Sequence, residues 1–532
     1  MKFFFCVWSA FLAGAIPMVA TAQQPVQQHA PLADRIQAIL AEPALQHVSW
    51  GISVVALDGT TLYARNDDKL MTPASNNKMI TTAAAFALLP VDTLRWKTDV
   101  VSSARIDSHG MLHGDLVLLG VGDPTLSARP YPYRSAAAVA VLAKSSSAEP
   151  KPDAMLPLEQ LADQLAAAGL REVDGNIVGD DSFYVDQPYG SGWAWDDLDW
   201  SYGAPISALT FNDNTVVLTL NADRANPGAT VGAWIPAVSY YTLSNTATLA
   251  VGGESAHPGL DRAPGSLEVR SWGTIAPEGY HGKIAVQDAA AFTAAAFVEA
   301  LRSRGIVVHG APRVHHQLPM ATQSFDEERA QPLPLAPSAV PLIEAPLEGR
   351  NVLASRFSPP VAEDLVVTNK VSQNLHAELT LRLLGKLIAG EGSLAEGTRV
   401  VRQFLLSAGV DDQDFYLCDG SGMSYNDRVA PRALTRLLVY AARQPWGEDW
   451  RASLPVAGMD GTLNERFRTS FLKGRLWAKT GTHSENNALS GYLDAASGQR
   501  LAFSILVNNH RPGSNAEVEA LDRIVEAIAA AE

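Results

Sequence analysis

Cysteine is scarce in this chain, and its scarcity excludes a scaffold held together by disulfides. Among 532 residues there are two, Cys6 and Cys418. Cys6 falls in an N-terminal segment that we expect to be removed from the mature protein, which leaves Cys418 without a partner. No histidine or cysteine pattern accompanies Cys418, so neither a metal site nor a cysteine nucleophile is indicated.

Metal-binding and nucleotide-binding motifs are also missing. The 12 histidines include no His-Glu-x-x-His, and His315 and His316 lie in a stretch that we expect to be a loop. Gly120-Val121-Gly122 resembles the start of a dinucleotide loop, but Thr125 stands where that loop requires glycine. We therefore expect no metal and no cofactor.

Positive charge is in short supply. The formal net charge is −15, from 41 lysines and arginines against 56 acidic residues. This balance disfavours nucleic acid and anionic membrane surfaces as partners. After the N-terminal segment no apolar run is long enough to span a bilayer, so we expect no stable transmembrane anchor.

The N-terminal segment has the features of a secretory signal. Lys2 gives it a positive start, residues 3–19 are mostly apolar, and Ala20-Thr21-Ala22 offers a cleavage site. An uncleaved membrane anchor is the alternative, which Pro17 and the small residues disfavour. We predict that residues 1–22 are a signal peptide and that the protein is periplasmic or otherwise exported to the cell envelope.

The remaining chain is too long for one ordinary hydrophobic core, and its two ends resemble each other. Between them, short β-like runs alternate with turns. We predict one α/β domain from residues 23–95 and 355–532, interrupted by a mostly β insertion of one or two subdomains at 96–354. The segments behind this prediction are a helix at 31–45, strands at 48–57 and 61–64, a helix at 79–89, strands at 489–493 and 501–507, and a helix from 516.

Three short motifs occur in one order along the chain, and the first gap is far longer than the second. They are Ser75-Asn76-Asn77-Lys78, Ser372-Gln373-Asn374 and Lys479-Thr480-Gly481-Thr482. Each motif alone is weak, because Ser470-Phe471-Leu472-Lys473 repeats the first pattern and Ser424-Tyr425-Asn426 the second. The three together are the set found in penicillin-binding proteins and their β-lactamase relatives.

The first motif places a serine and a lysine on one face of a helix. Residues three apart are neighbours there, so the Lys78 amine can reach the Ser75 hydroxyl. The alternative is a helix-capping serine followed by a solvated lysine. The apolar residues 79–89 favour a lysine beside the core, where it can lose its proton and act as a base.

The other two motifs also have structural alternatives. Ser372 and Asn374 stand at the start of a predicted helix and could be caps; in an active site they would pass a proton and bind a carbonyl. Lys479 and Thr480 follow an apolar strand and could hold a carboxylate, although an edge strand ending in a turn fits as well.

Beyond the three motifs, the chain resembles the D-alanyl-D-alanine carboxypeptidases/endopeptidases among the low-molecular-mass penicillin-binding proteins, in the branch with a large insertion after the first motif. The resemblance implies a β-lactamase/transpeptidase-like domain, an antiparallel sheet with flanking helices formed by both chain ends. It implies peptidoglycan stem peptides as substrates and β-lactams as covalent inhibitors. The further segments that carry it are residues 119–126, 179–184, 195–198, 205–209, 419–424 and 454–463.

The resemblance also implies roles for individual residues. Ser75 is the nucleophile, Lys78 its general base, and Ser372 relays the proton to the leaving amine. The backbone N–H groups of Ser75 and Thr482 form the oxyanion hole. The residues expected to bind substrate are Asn374, Lys479, Thr480 and Thr482.

Several questions stay open at this level. The family usually has aspartate where this chain has Gln373, which we expect to tune activity rather than abolish it. The run from Trp193 to Tyr202 contains Asp196, Asp197 and Asp199, which either recognise a free amine of the stem peptide or are ordinary packing residues. A β-lactamase and a non-catalytic peptidoglycan-binding protein are the rival functions. The balance of carboxypeptidase and endopeptidase activity, the diamino acid of the stem peptide and the oligomeric state are left undetermined.

Overall fold

The computed structural model describes residues 31–135, 137–139, 153–252, 254–320 and 322–531. The predicted signal peptide, residues 1–22, lies outside this part of the chain. Within it, we find no helix that is both long enough and apolar enough to cross a membrane.

Helices and strands alternate along both ends of the chain, whereas strands dominate its middle. The α-helices of six or more residues are α1 Leu32–Leu40, α2 Asn77–Leu88, α3 Leu156–Ala167, α4 Ala289–Ser303, α5 Phe325–Ala330, α6 Val361–Lys370, α7 Asn374–Leu384, α8 Leu394–Ser407, α9 Pro431–Ala441, α10 Gly447–Ser453 and α11 Ala516–Ala531. The strands are β1 Ser49–Ala56, β2 Thr61–Arg65, β3 Arg95–Ser102, β4 Met111–Leu112, β5 Leu116–Leu119, β6 Glu172–Val173, β7 Ile177–Val185, β8 Thr215–Ala222, β9 Thr230–Ile235, β10 Thr242–Asn245, β11 Thr248–Leu249, β12 His257–Arg262, β13 Glu268–Ile275, β14 Tyr280–Ala285, β15 Val307–Val308, β16 Pro312–Gln317, β17 Leu342–Ile343, β18 Asn351–Phe357, β19 Phe415–Tyr416, β20 Arg428–Val429, β21 Leu476–Thr482, β22 Asn486–Asp494 and β23 Arg500–Asn508.

A five-stranded antiparallel sheet joins the two ends of the chain. Its strand order is β2-β1-β23-β22-β21, and the first and last strands in sequence meet at pairs such as Ile52 with Ile505. Successive side chains of a strand point to opposite faces. Ile505 accordingly lies in one core with α1 and α11, and Leu506 in another with α2, α7, α8 and α9. This arrangement confirms the predicted α/β class, an antiparallel sheet with flanking helices formed by both chain ends.

The middle of the chain has a separate hydrophobic core. Helices α3 and α4 pack there against the strands of several small sheets, so the mostly β character is as predicted. The strands β3 and β18 pair antiparallel where the chain enters and leaves this region. The predicted boundaries at residues 95/96 and 354/355 fall within these two strands, and the boundaries themselves stay a prediction.

The expectation that His315 and His316 lie in a loop is wrong. Both belong to β16, which runs parallel to β7. Their rings are held by acidic residues of that neighbouring strand: His315 Nδ1 lies 3.3 Å from an Asp180 carboxylate oxygen and His316 Nδ1 lies 2.8 Å from Asp181. The local sequence does not predict this strand, because the strand that pairs with it, β7, is distant along the chain.

Candidate active site

Ser75 stands in a short 3₁₀ turn, Ala74–Asn76, immediately before the buried helix α2. Strand β21 approaches this turn closely because it carries Gly481. A Cβ at that glycine would lie 2.8 Å from the Pro73 carbonyl oxygen and 3.1 Å from the Ser75 nitrogen. The third motif therefore needs its glycine for contact with the serine turn.

Lys78 lies one helical turn after Ser75 and is fully buried. Its Nζ donates hydrogen bonds to three oxygens: Ser75 Oγ at 2.9 Å, Asn374 Oδ1 at 2.5 Å and the Ser421 carbonyl at 2.6 Å. The first two of the three sequence motifs therefore meet at this amine. The capping alternative, with a solvated lysine, is excluded by the burial.

Burial also changes the acidity of Lys78. Desolvation lowers the pKa of its amine to about 7, against the opposing pull of the negative charges on Asp419, Glu378 and Asp427. A lysine in this state is neutral for about half the time at pH 7. It then has a lone pair with which to accept a proton from the serine hydroxyl.

Ser372 and Lys479 form a second pair in the site. Ser372 lies between α6 and α7 with a φ of +60°, and Lys479 Nζ donates to its Oγ at 2.8 Å and to the Thr480 carbonyl at 2.8 Å. Lys479 is fully buried. Burial first, and the charge of Lys78 second, hold the pKa of its amine well below the usual range.

The side chains of Gln373 and Asn374 both form hydrogen bonds within the protein. The Gln373 side-chain oxygen accepts from the Leu375 N–H at 3.0 Å and so caps the start of α7. Asn374 Oδ1 accepts from Lys78, and its Nδ2 donates to the Tyr202 carbonyl at 2.8 Å. Tyr202 belongs to the inserted region, which therefore helps to orient Asn374.

One cleft of about 420 Å³ contains Ser75, Ser372, Asn374 and Thr482 in its lining. Thr480 is not among the lining residues, and its hydroxyl is hydrogen-bonded to that of Thr462 at 2.7 Å. The structure thus places the predicted nucleophile in the same cleft as Ser372, Asn374 and Thr482, whereas Thr480 lies outside the lining of that cleft.

The three aspartates of the segment from Trp193 to Tyr202 differ in their position relative to this cleft. Asp197 lines it and accepts a hydrogen bond from the Tyr202 hydroxyl at 3.0 Å. Asp199 instead lies 3.3 Å from the Arg262 guanidinium, and Asp196 is exposed outside the lining. The lining also includes Tyr425 and His483, whose ring centres lie 4.6 Å apart.

Sequence reasoning missed a buried carboxylate that shapes the site. Glu378, on α7, accepts hydrogen bonds from the N–H groups of Gly420 and Ser421 at 2.9 and 2.8 Å. It thereby fixes the loop whose Ser421 carbonyl receives Lys78. Burial, with the charge of Asp419 second, raises the pKa of Glu378 to about 7. The available signal was its position four residues after Asn374, on the same helix face.

Asp419 was noticed only as part of a resembling segment. Its carboxylate accepts from the N–H groups of Gly422 and Ser424, both at 2.7 Å, and from the Trp193 indole at 2.9 Å. The residue thus holds a tight loop beside Ser75 and joins it to the inserted region.

Comparison with known proteins bears on what this arrangement does. The sequence profile described as the D-Ala-D-Ala carboxypeptidase 3 (S13) family matches residues 32–335 and 320–530. The chain belongs to this family. This S13 family member is 31% identical to the D-alanyl-D-alanine carboxypeptidase of Actinomadura sp. (strain R39) over 512 residues, which cover 94% of this chain and 84% of the relative. It is 25% identical to the D-alanyl-D-alanine carboxypeptidase DacB of Haemophilus influenzae over 454 residues, which cover 84% and 82%.

Solved structures agree at the level of the fold. The crystal structure of penicillin binding protein 4 (dacB) from Haemophilus influenzae has a TM-score of 0.73 to this S13 family member, with 22% identity, and covers 93% of this chain and 98% of that one. Another structure of that protein, complexed with a novel β-lactam, has a TM-score of 0.68. The family resemblance and the penicillin-binding protein fold expected from the motifs are confirmed.

Proposed function

We propose that this S13 family member is an exported serine hydrolase that removes D-alanine from peptidoglycan stem peptides and cleaves their crosslinks through an acyl-serine intermediate. One observation carries the proposal. The Ser75 hydroxyl lies 2.9 Å from a buried lysine amine whose pKa is lowered to about 7. This pairing supplies a nucleophile and a base without histidine.

In the proposed acylation, Ser75 Oγ attacks the carbonyl carbon of the penultimate D-alanine and its proton passes to Lys78 Nζ. The backbone N–H groups of Ser75 and Thr482 stabilise the oxyanion. When the C–N bond breaks, the leaving amine takes a proton from the Ser372 hydroxyl, which is replaced by the proton held on Lys78. Water then attacks the ester and gives a proton to Lys78 Nζ, and Lys78 passes this proton to Ser75 Oγ as the ester C–O bond breaks and the peptide carboxylate is released.

Substrate binding is assigned to the cationic side of the site. An entering carboxylate favours the protonated form of the buried Lys479 amine, which then attracts the terminal carboxylate of the peptide, with Thr482 as a hydrogen-bond donor. Asn374 binds the peptide carbonyl while keeping Lys78 in place. Thr480 supports this side through its bond to Thr462. β-Lactams would acylate Ser75 by the same attack.

Location and partners follow from the same proposal. The signal predicted at residues 1–22 supports export to the periplasm or another part of the cell envelope, where peptidoglycan lies. The relatives named above as carboxypeptidases support the stem peptide as substrate, and the β-lactam complex of the Haemophilus protein supports β-lactams as inhibitors.

Intact-mass measurement of the mature protein after benzylpenicillin tests the proposal, with Ser75→Ala as control and D-alanine release from a stem peptide as a second readout. We expect one lasting adduct that the control lacks, together with D-alanine release. Rapid loss of penicillin without an adduct would indicate a β-lactamase. Neither adduct nor hydrolysis would leave a non-catalytic peptidoglycan-binding protein.

A further inference from the structure

A second cavity of about 210 Å³ adjoins the catalytic cleft. We call it the cationic pocket because Arg129 and Lys283 line it. It shares Tyr202, Ser372 and Asn374 with the cleft but does not include Ser75. The cationic pocket therefore begins at the second motif and extends away from the nucleophile, toward the inserted region.

Both cations of the pocket come from the inserted region and both have unused hydrogen-bonding capacity. Arg129 contacts Asp213 through Nε and Nη2, and its Nη1 has no hydrogen-bond partner among the residues that the structure describes. Lys283 Nζ lies 3.7 Å from an Asp213 oxygen, beyond ordinary hydrogen-bond length. The Lys283 side chain is 44% exposed.

The buried charges around the pocket do not cancel. Asp213 also contacts His376 at 3.3 Å, and His376 contacts Asp364 at 2.7 Å. Burial opposes protonation of His376, but the negative charges of Asp364 and Asp213 raise its pKa to about 9. Among the residues that the structure describes, Arg129, Lys283 and His376 thus oppose two carboxylates, and one positive charge remains uncompensated.

Of these cations, Lys283 lines the pocket with a partly exposed side chain, so the excess positive charge is accessible there. Asp213 stays ionised, because hydrogen bonds from His376 and the charge of Arg129 outweigh its burial and hold its pKa far below the usual range. The nearby Asp123 does not restore the balance, since it is paired with Arg356 at 2.8 Å. An anionic group entering the pocket would meet a partly desolvated ammonium and a free guanidinium nitrogen.

We propose that the cationic pocket binds a carboxylate of the leaving peptide and so favours crosslinked peptidoglycan over monomeric stem peptides. The inference rests on the proposed function, in which Ser372 gives a proton to the leaving amine and the leaving residue therefore stands at Ser372. A departing D-alanine has a single carboxylate, assigned to Lys479. A departing stem peptide has further carboxylates, and the pocket beyond Ser372 is where they would lie.

Lys283→Gln tests this inference, with Lys283→Arg as the matched variant that keeps the charge. Lys283 is the better choice because Arg129 variants would also remove the guanidinium that donates two hydrogen bonds to the buried Asp213. We would measure kcat/KM for a purified crosslinked muropeptide dimer and for a monomeric pentapeptide ending in D-Ala-D-Ala. Loss of a charge-assisted contact should lower the dimer-to-monomer ratio of kcat/KM about tenfold in Lys283→Gln and leave it close to that of the parent in Lys283→Arg.

Three outcomes would overturn the inference: an unchanged ratio in Lys283→Gln, an equal loss in both variants, or a parent protein that cleaves monomer but not dimer. Thermal melting of each variant separates a binding effect from misfolding. Failure of the proposed function looks different, because the parent protein would then form no penicillin adduct at Ser75 and release no D-alanine.

Discussion

If Lys78 is the base, as proposed, its buried amine predicts a pH dependence for acylation. A general base works only in its deprotonated form, which for lysine is the neutral amine that predominates above its pKa. Because burial lowers the pKa of Lys78 to about 7, we expect the rate of acylation by benzylpenicillin to rise with pH through neutrality and to level off above pH 8.

The size of the effect can be worked out from this value. At pH 7 about half of the Lys78 amines are neutral, against about one in 3,000 for a lysine with an ordinary pKa. The gain in active base is worth about 4 kcal/mol. Lowering the pH from 7 to 5 should therefore reduce the acylation rate constant about fiftyfold.

The assay is stopped-flow or quenched-flow acylation by a chromogenic β-lactam between pH 5 and 9, with thermal melting at each pH to exclude unfolding. Lys78→Arg should abolish acylation, because a guanidinium does not deprotonate in this range. Glu378→Gln removes the negative charge that Glu378 acquires near pH 7 and that raises the pKa of Lys78, so the upper part of the rising limb should move to lower pH. Glu278→Gln, in an exposed surface turn, is the matched control and should leave the limb in place.

A rate that stays flat from pH 5 to 8 would refute the assignment of Lys78 as the base. A rate that keeps rising about tenfold per pH unit up to pH 9, without levelling off, would show that Lys78 keeps an ordinary pKa. If the rise of the acylation rate with pH disappears in Glu378→Gln, the group that titrates is Glu378 and not Lys78.

Three further predictions concern single residues. Gln373→Asp should raise the free energy of unfolding by about 0.5 kcal/mol in chemical denaturation, because a carboxylate caps a helix start better; a rise in turnover of several orders would instead show that Gln373 limits catalysis. Asn374→Ala should slow acylation by about one to two orders of magnitude in the same kinetic assay, because Lys78 loses its 2.5 Å acceptor, and an unchanged rate would contradict this. The Cys418 thiol, whose pKa burial raises to about 12, should resist iodoacetamide at pH 8 until the protein is denatured; full labelling of the native protein would contradict its burial.

Much of the fold was predictable because its main elements have strong local patterns. The apolar run after Lys78 predicted a lysine against the core, and Lys78 is fully buried. The competing match at Ser470 lies in a series of turns without a following helix. Local pattern was therefore sufficient to separate the two Ser-x-x-Lys sequences.

The rest of the site could not be predicted from local pattern. Lys78 depends on the carbonyl of Ser421, and Asn374 on that of Tyr202. Main-chain carbonyls have no sequence signature, and these lie far from their partners along the chain. Glu378 reads as an ordinary exposed helix residue until the loop at Gly420 is placed against it. The domain boundaries and the roles of the site residues stay predictions.

The pairing of β1 with β23 has a consequence for how the protein is made. Ribosomes deliver the serine turn early, yet the sheet against which it rests is incomplete until the final strands arrive, and contacts so distant in sequence form slowly. The middle of the chain has its own core and can fold in the meantime. Any product that stops before β23 therefore contains Ser75 but lacks the strand that joins β1 to β22. The sheet on which the proposed active site rests is complete only when this last strand is in place.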